Sequence, residues 1–253
     1  ALDAAWRDAL VPTEFGIEEQ LTDHPSFKLF GASRFHAIGD LQHTGHLGTD
    51  QYLLASVMKD IIDNGPFRGS REERKKQLWS MIQDEYERQD SPPRLHGLTL
   101  GMIEVKNNFP SLSAKAAETN SLIPVMAEVC ARVHDGSEQN EHRRRAVQYM
   151  REFYKLLKSA GNFLTAAQAD EAVRLIDWHG LHYNWLHHHA QSQHQLLYVI
   201  QFKHHNLLHI AHHARYLNPM VLWCYAFEDN VGVFIVAGKN CCLLYTSDAA
   251  DDA

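Results

Sequence analysis

The stretch from Ser137 to Gly161 constrains the fold of this chain more than any other. Its apolar residues Ala146, Val147, Met150, Phe153, Tyr154 and Leu157 recur at helical spacing and gather on one face. Ser137 stands at the N-cap, with Glu138 and Glu141 in the first turn. Lys155 and Lys158 complement the dipole at the other end, before Gly161. Such a helix must bury its stripe against partners, and the rest of the chain offers more helices. Thr49 or Asp50 caps a stripe of Leu54, Val57, Met58, Ile61 and Ile62, stopped by Asn64-Gly65-Pro66. Ser70 with Glu73 forms a capping box ahead of Leu78, Ile82 and Tyr86, and Ser91-Pro92-Pro93 ends that helix.

Further along, Ser111 or Ser113 opens a helical region that Pro124 either kinks or divides. Thr165 caps a long region running to residue 199, another helix covers 203–217, and 227–237 reads as a last apolar helix. Strand signals are weak. Arg34 to Asp40 alternates slightly; Leu98, Leu100, Met102 and Val105 fit a strand or a short helix; Val221 to Tyr225 fits a short strand or a buried turn. The expectation is a mainly α protein, a helical bundle with a few short strands.

The chain has 253 residues, 45% of them hydrophobic, enough for one substantial core or two small ones. Residues 1–33 read as an extended linker with one short helix, 34–240 as the helical domain, and 241–253 as a non-native tail. The closing LLYTSDAADDA resembles translated adapter sequence. With no initiating Met, the chain reads as a fragment of something longer. No stretch approaches the ~18 consecutive apolar residues of a membrane span. Four Cys, two of them adjacent at Cys241 and Cys242, make no disulfide framework, so an intracellular, reducing compartment is expected. A formal charge of −7 argues against nucleic-acid binding by the whole surface and leaves room for a local basic face. The phosphate-binding, zinc-protease, dithiol and nucleophile-elbow motifs are absent.

Eighteen His are the anomaly of the composition. In the 203–217 helix Leu207, Ile210, Ala211, Ala214 and Leu217 share one face, and His205, His209 and His212 lie opposite, with His213 beside them. His205 and His209 stand at i and i+4, the spacing by which a helix offers two imidazoles to one Zn²⁺. The plainer reading is a polar, solvated face. His179, His182 and Tyr183 fall on the stripe of Ala172, Leu175, Ile176 and Leu186, which predicts half-buried, satisfied imidazoles. Trp178, Trp185 and Trp223 read as core or interface aromatics. Arg143-Arg144-Arg145 and the cluster Arg71, Arg74, Lys75 and Lys76 are candidate phosphate contacts, although acids on the same helices favour ordinary solvated faces, and Lys203 is a further candidate nucleic-acid contact.

Among the carboxylates, Asp40 precedes Gln42-His43 in an Asp-x-x-His pattern, and Phe227-Glu228-Asp229 follows Trp223-Cys224-Tyr225. Two-metal phosphoryl-transfer sites gather carboxylates from distant segments. An Asp in such a place is more often a turn residue or a helix cap.

The stretch Phe35 to Gly48 (FHAIGDLQHTGHLG) resembles the D-x-x-H…L-G segment of eukaryotic CACTA-like transposases. Lys203-His204-His205-Asn206-Leu207-Leu208-His209, then Asn218-Pro219, Trp223-Cys224-Tyr225 and Phe227-Glu228, is similar to their later segment. Between them, Ala114 to Thr119 and a helical insertion of fitting length resemble transposon-derived repeats of dinoflagellate-type genomes. The likeness spans residues 25–238 in the right order. It implies part of an RNase H-like core with a helical insertion, an Asp-Asp-Glu triad holding Mg²⁺ or Mn²⁺, DNA as partner and a nuclear location. It matches Glu228 to the triad Glu, with Asp229 as ambiguous neighbour, and Asp40 and His43 to the Asp-x-x-His motif. The first Asp of the triad has no counterpart here, so the expected function is a transposase-derived DNA-transposition fragment, inactive alone. Two alternatives stand beside it: a His-rich metal-binding module on His205 and His209, and a helical protein-interaction domain without chemistry.

Overall fold

The computed structural model describes residues 39–225, apart from 91, 106, 107 and 222. The expected linker over 1–33, the last apolar helix, the tail, Glu228 and Asp229 lie outside the described residues. Within them the protein is mainly α, as its periodicity predicts. A π-helical segment, Gln42–Thr49, runs into α1 (Asp50–Asn64). Then follow α2 (Arg71–Gln89), the single turn α3 (Leu100–Ile103), α4 (Ala116–Arg132), α5 (Glu138–Ser159), α6 (Ala166–Ser192) and α7 (Phe202–His213). A 3₁₀ turn, Pro219–Val221, closes the series.

Three caps fall where the side chains predict them, whereas Thr49 makes no side-chain cap bond to α1 and α4 opens after Lys115 rather than at Ser111 or Ser113. Ser70 Oγ accepts from Glu73 N while the Glu73 carboxylate accepts from Ser70 N at 2.7 Å. Ser137 caps α5 through Asn140 N, and Thr165 caps α6 with Gln168 answering as the reciprocal partner. Pro124 does not divide its helix: α4 is continuous across it. Proline removes one amide donor, and the packing of Leu122, Ile123, Val125 and Met126, all buried, holds the helix through that loss.

The strands are the part of the expectation that is corrected. The described residues contain none. Leu98 to Val105 yields one helical turn, Val221 closes a 3₁₀ turn and Cys224 lies in a turn. The 165–199 region stops being helical at Ser192, and the next helix ends at His213. Short apolar runs do not by themselves separate strand from buried turn.

α1 is the central element, with Leu53, Leu54, Ala55, Val57, Met58, Ile61 and Ile62 all buried. α5 lies against both α4 and α6, and α7 packs on α6 and on the π-helical segment. Between α5 and α6 runs a ladder of rings. His142 stacks on Trp185 at 4.0 Å, Trp185 on His189 at 4.8 Å, and Tyr149 on His182 at 5.6 Å. Trp185 thus serves as an interface aromatic, and Trp178 joins the same face.

Candidate functional site

The two ends of the described chain meet at Asp40. Its Oδ1 accepts from Gln42 N at 3.0 Å and its Oδ2 from His43 N at 3.1 Å, so the carboxylate caps the helical segment that follows. This is the cap that an Asp at a turn is expected to be. Two further donors make it more than a cap. Cys224 N reaches Oδ1 at 3.2 Å from a position 184 residues later, and His43 Nδ1 closes on Oδ2. Burial alone would raise the Asp40 pKa; the His43 hydrogen bond and the three backbone N–H groups outweigh it, and the carboxyl titrates below its usual range.

Next to it lies a buried aromatic nest. His46 is fully buried, its ring 4.8 Å from Tyr154, 5.9 Å from Tyr225 and 6.3 Å from Trp223. Its Nδ1 bonds the Tyr225 hydroxyl at 2.8 Å. Burial, reinforced by the positive charge of Lys158, pushes its pKa down to about 3, so the ring is neutral. Asp50, also fully buried, accepts from the Tyr154 hydroxyl at 2.6 Å, and burial drives its pKa up to about 7.

The glycines of Gly45-His46-Leu47-Gly48 are fixed by these contacts. A Cβ on Gly45 would stand 2.4 Å from the Tyr154 hydroxyl, and one on Gly48 2.5 Å from Lys203 Cδ and 2.9 Å from His43 O. Lys203 lies along Gly48 and donates from Nζ to Leu47 O at 2.9 Å. Gly39 abuts Ile210 in the same way, a Cβ there being 3.0 Å from Cγ1. Farther along, Asn218 ties the approach to residue 223 onto the end of α5, donating from Nδ2 to Leu157 O at 2.9 Å and Gly161 O at 3.0 Å. Of the first segment, Asp40, His46 and Leu47 therefore touch Cys224, Tyr225 and Lys203 of the second.

The other candidate residues are placed differently. Arg143 is 2% exposed, and its Nη1 donates to Asp60 at 2.8 Å, which corrects its reading as a phosphate contact. Arg144 and Arg145 reach the surface, where both pair with Glu141. His205 and His209 face each other, Nε2 to Nε2 at 2.8 Å, with no third His, Cys, Asp or Glu joining them among the described residues. Of the stripe histidines, His179 is 2% exposed and bonds Ala146 O at 2.9 Å, while His182 bonds His142, Nδ1 to Nδ1, at 2.9 Å. The position of Glu228 and Asp229 relative to Asp40 lies outside the described residues.

Two features escape a reading of the sequence. Asp60 is a buried hub: besides Arg143 it accepts from Gln139 at 3.0 Å, Asn64 at 2.9 Å and the Tyr198 hydroxyl at 3.1 Å. Its signal was an acid set inside the stripe Val57, Met58, Ile61, Ile62. Cys224 is the other. Its thiol lies with Asp40 and His43 so that one ligand atom from each falls within 4.8 Å of the others.

Oxygen, nitrogen and sulfur together suit Zn²⁺, whereas Mg²⁺ takes oxygen ligands. The four donors already on Asp40 fill its acceptor sites, so an ion there would displace the His43 ring from the carboxylate. Comparisons of this chain with family models, with curated proteins and with solved structures give no match.

Proposed function

We propose that this chain is the helical part of a DNA-transposition protein derived from the RNase H-like transposases, with its functional end at Asp40, and that it does not cut DNA by itself. One observation carries the reading. The two segments that bear the resemblance, about 160 residues apart, pack on each other through Asp40–Cys224, His46–Tyr225 and Leu47–Lys203. Glu228 follows Cys224 by four positions, a span of at most about 14 Å in extended chain, which keeps it within reach of the same end of the molecule.

In this reading Asp40, His43 and Cys224 hold a Zn²⁺ that fastens the later segment to the earlier one. A divalent ion at the triad would stabilise charge on the attacked phosphodiester, with Glu228 and Asp229 as its protein ligands in this chain. The residues described here position: Asp40 fixes the backbone at Cys224, and His46 and Tyr154 wall the junction with aromatic surface.

Zn²⁺ titration by calorimetry tests the proposal. It calls for one ion per chain, lost in Cys224→Ser and in Asp40→Asn and kept in the double variant His205→Ala/His209→Ala. The reverse pattern would establish the second reading, a metal-binding module on α7, which the 2.8 Å approach of His205 and His209 favours. Strong Mg²⁺-dependent DNA cleavage by this chain, abolished in Glu228→Ala, would contradict the claim that it is inactive alone.

A further inference from the structure

Cations of this acidic protein are mostly neutralised where they stand. Arg71 and Lys59 share Asp63 and Glu104, Arg88 and Arg132 share Glu85, Arg144 and Arg145 share Glu141, and Arg174 pairs with Glu171. Another group of cations is arranged differently, with one of its three paired to an acid. A cleft of about 430 Å³ opens between the first half of α4 and the last turns of α5. Three cations line it, Arg151, Lys155 and Lys158, and no carboxylate does.

Arg151 is held from outside the cleft by Glu128, 2.6 Å from Nη1, which orients the guanidinium and leaves its remaining donors for a ligand. Lys158 donates to Asn120 Oδ1 at 3.2 Å, a neutral partner that directs the ammonium without cancelling its charge. Lys155 makes no ion pair among the described residues. Partial desolvation draws the Lys158 pKa down, while the side chain stays exposed at the cleft. Its field reaches His46 beyond the floor of the cleft, which is Tyr154.

We propose that the cleft between α4 and α5 is a binding site for a phosphate ester, gripped by Arg151, Lys155 and Lys158. Convergent cations with an oriented Arg fork match the several acceptor oxygens of a phosphate better than the two of a carboxylate. The volume exceeds that of a bare phosphate, and Ile123 and Pro124 offer apolar wall to whatever the phosphate is attached to. A nucleic-acid backbone and a free nucleotide carry the same chemistry. The site does not rest on the transposase reading, since either ligand satisfies it.

The test uses the full chain and two probes: a short fluorescein-labelled DNA duplex followed by anisotropy, and AMP followed by calorimetry. Lys155→Gln/Lys158→Gln is expected to weaken binding of at least one probe by about tenfold or more, the loss of charge-assisted hydrogen bonds. For the duplex, the slope of log K against log salt should shrink by about two, one for each phosphate contact removed. Loss confined to the duplex identifies the backbone as ligand; loss confined to AMP identifies a free phosphate ester. Lys155→Arg/Lys158→Arg keeps the charge and should keep the binding, and thermal melts check that both variants fold. Failure of wild type to bind either probe at about 50 mM salt, or equal binding by wild type and the Gln variant, would overturn the proposal.

Discussion

Two aspartates on one helix receive opposite treatment. Asp50 opens α1 and Asp60 sits near its end, and both are fully buried. Asp60 is met by a guanidinium, two amides and a hydroxyl. Asp50 is met by the Tyr154 and Thr49 hydroxyls, next to a neutral His46, and Tyr154 also lines the basic cleft. The Asp60 hub joins α1, α5 and the 193–201 connection, where Tyr198 takes a left-handed φ of 54°, held by Ser56 Oγ on its N–H and Asp60 on its hydroxyl. It is architecture. At Asp50 the protein keeps an acid poorly compensated in its interior, beside the Asp40 junction and the basic cleft. Perturbed groups of this kind gather where a protein acts.

The hub is the easiest side of this contrast to break. Arg143→Ala should cost about 3–5 kcal/mol, because it leaves Asp60 buried without its counter-charge. Urea unfolding measures it, and a cost below about 1 kcal/mol would mean that water reaches the hub. Gly45→Ala should cost about 1–3 kcal/mol through the clash with the Tyr154 hydroxyl. Adding Tyr154→Phe, which removes that oxygen, should recover part of the loss, and strictly additive costs would show that the clash is elsewhere.

Acid sharpens the contrast further. His46 is pushed down to about 3, and His179, His182 and His204 to about 4, in each case first by burial. Below pH 6.5 the unfolded chain binds protons that these rings refuse in the native state, so stability falls as pH drops from 6.5 toward 4. Asp50 works the other way. Its native pKa of about 7 lies above its ordinary value of 3.8, so in that window the native state holds the extra proton and acid favours folding. Asp50→Asn should therefore steepen the loss on acidification, by at most about 1.4 kcal/mol per pH unit. An unchanged slope would show that Asp50 is ionised. The smallest effect belongs to the surface: Arg144→Ala, at a half-buried pair with Glu141, should stay within about 1 kcal/mol.

How much of this was legible beforehand follows from which interactions are local. The caps of α2, α5 and α6 and the buried faces of α1 and α5 could be read directly, because capping and periodicity involve residues a few positions apart. The absence of strands from the described residues could not be, since Leu98 to Val105 and Val221 to Tyr225 are too short for periodicity to decide. Arg143 looked like one of three equivalent arginines; its partner Asp60 is 83 residues away, so only the packing of α5 on α1 tells it from Arg144. Asp40 was legible as a cap, while Cys224 N on its carboxylate is a contact of the folded chain alone. The basic cleft needs α4 and α5 side by side, and in sequence Lys155 and Lys158 serve equally well as helix-dipole partners.

The claim that two distant segments form one junction is tested most directly by a double-mutant cycle between His46→Ala and Tyr225→Phe, read by urea unfolding. The 2.8 Å hydrogen bond predicts a coupling of about 1 kcal/mol. A coupling indistinguishable from zero would mean that the later segment does not dock on the earlier one, and the shared site at Asp40 would be lost with it.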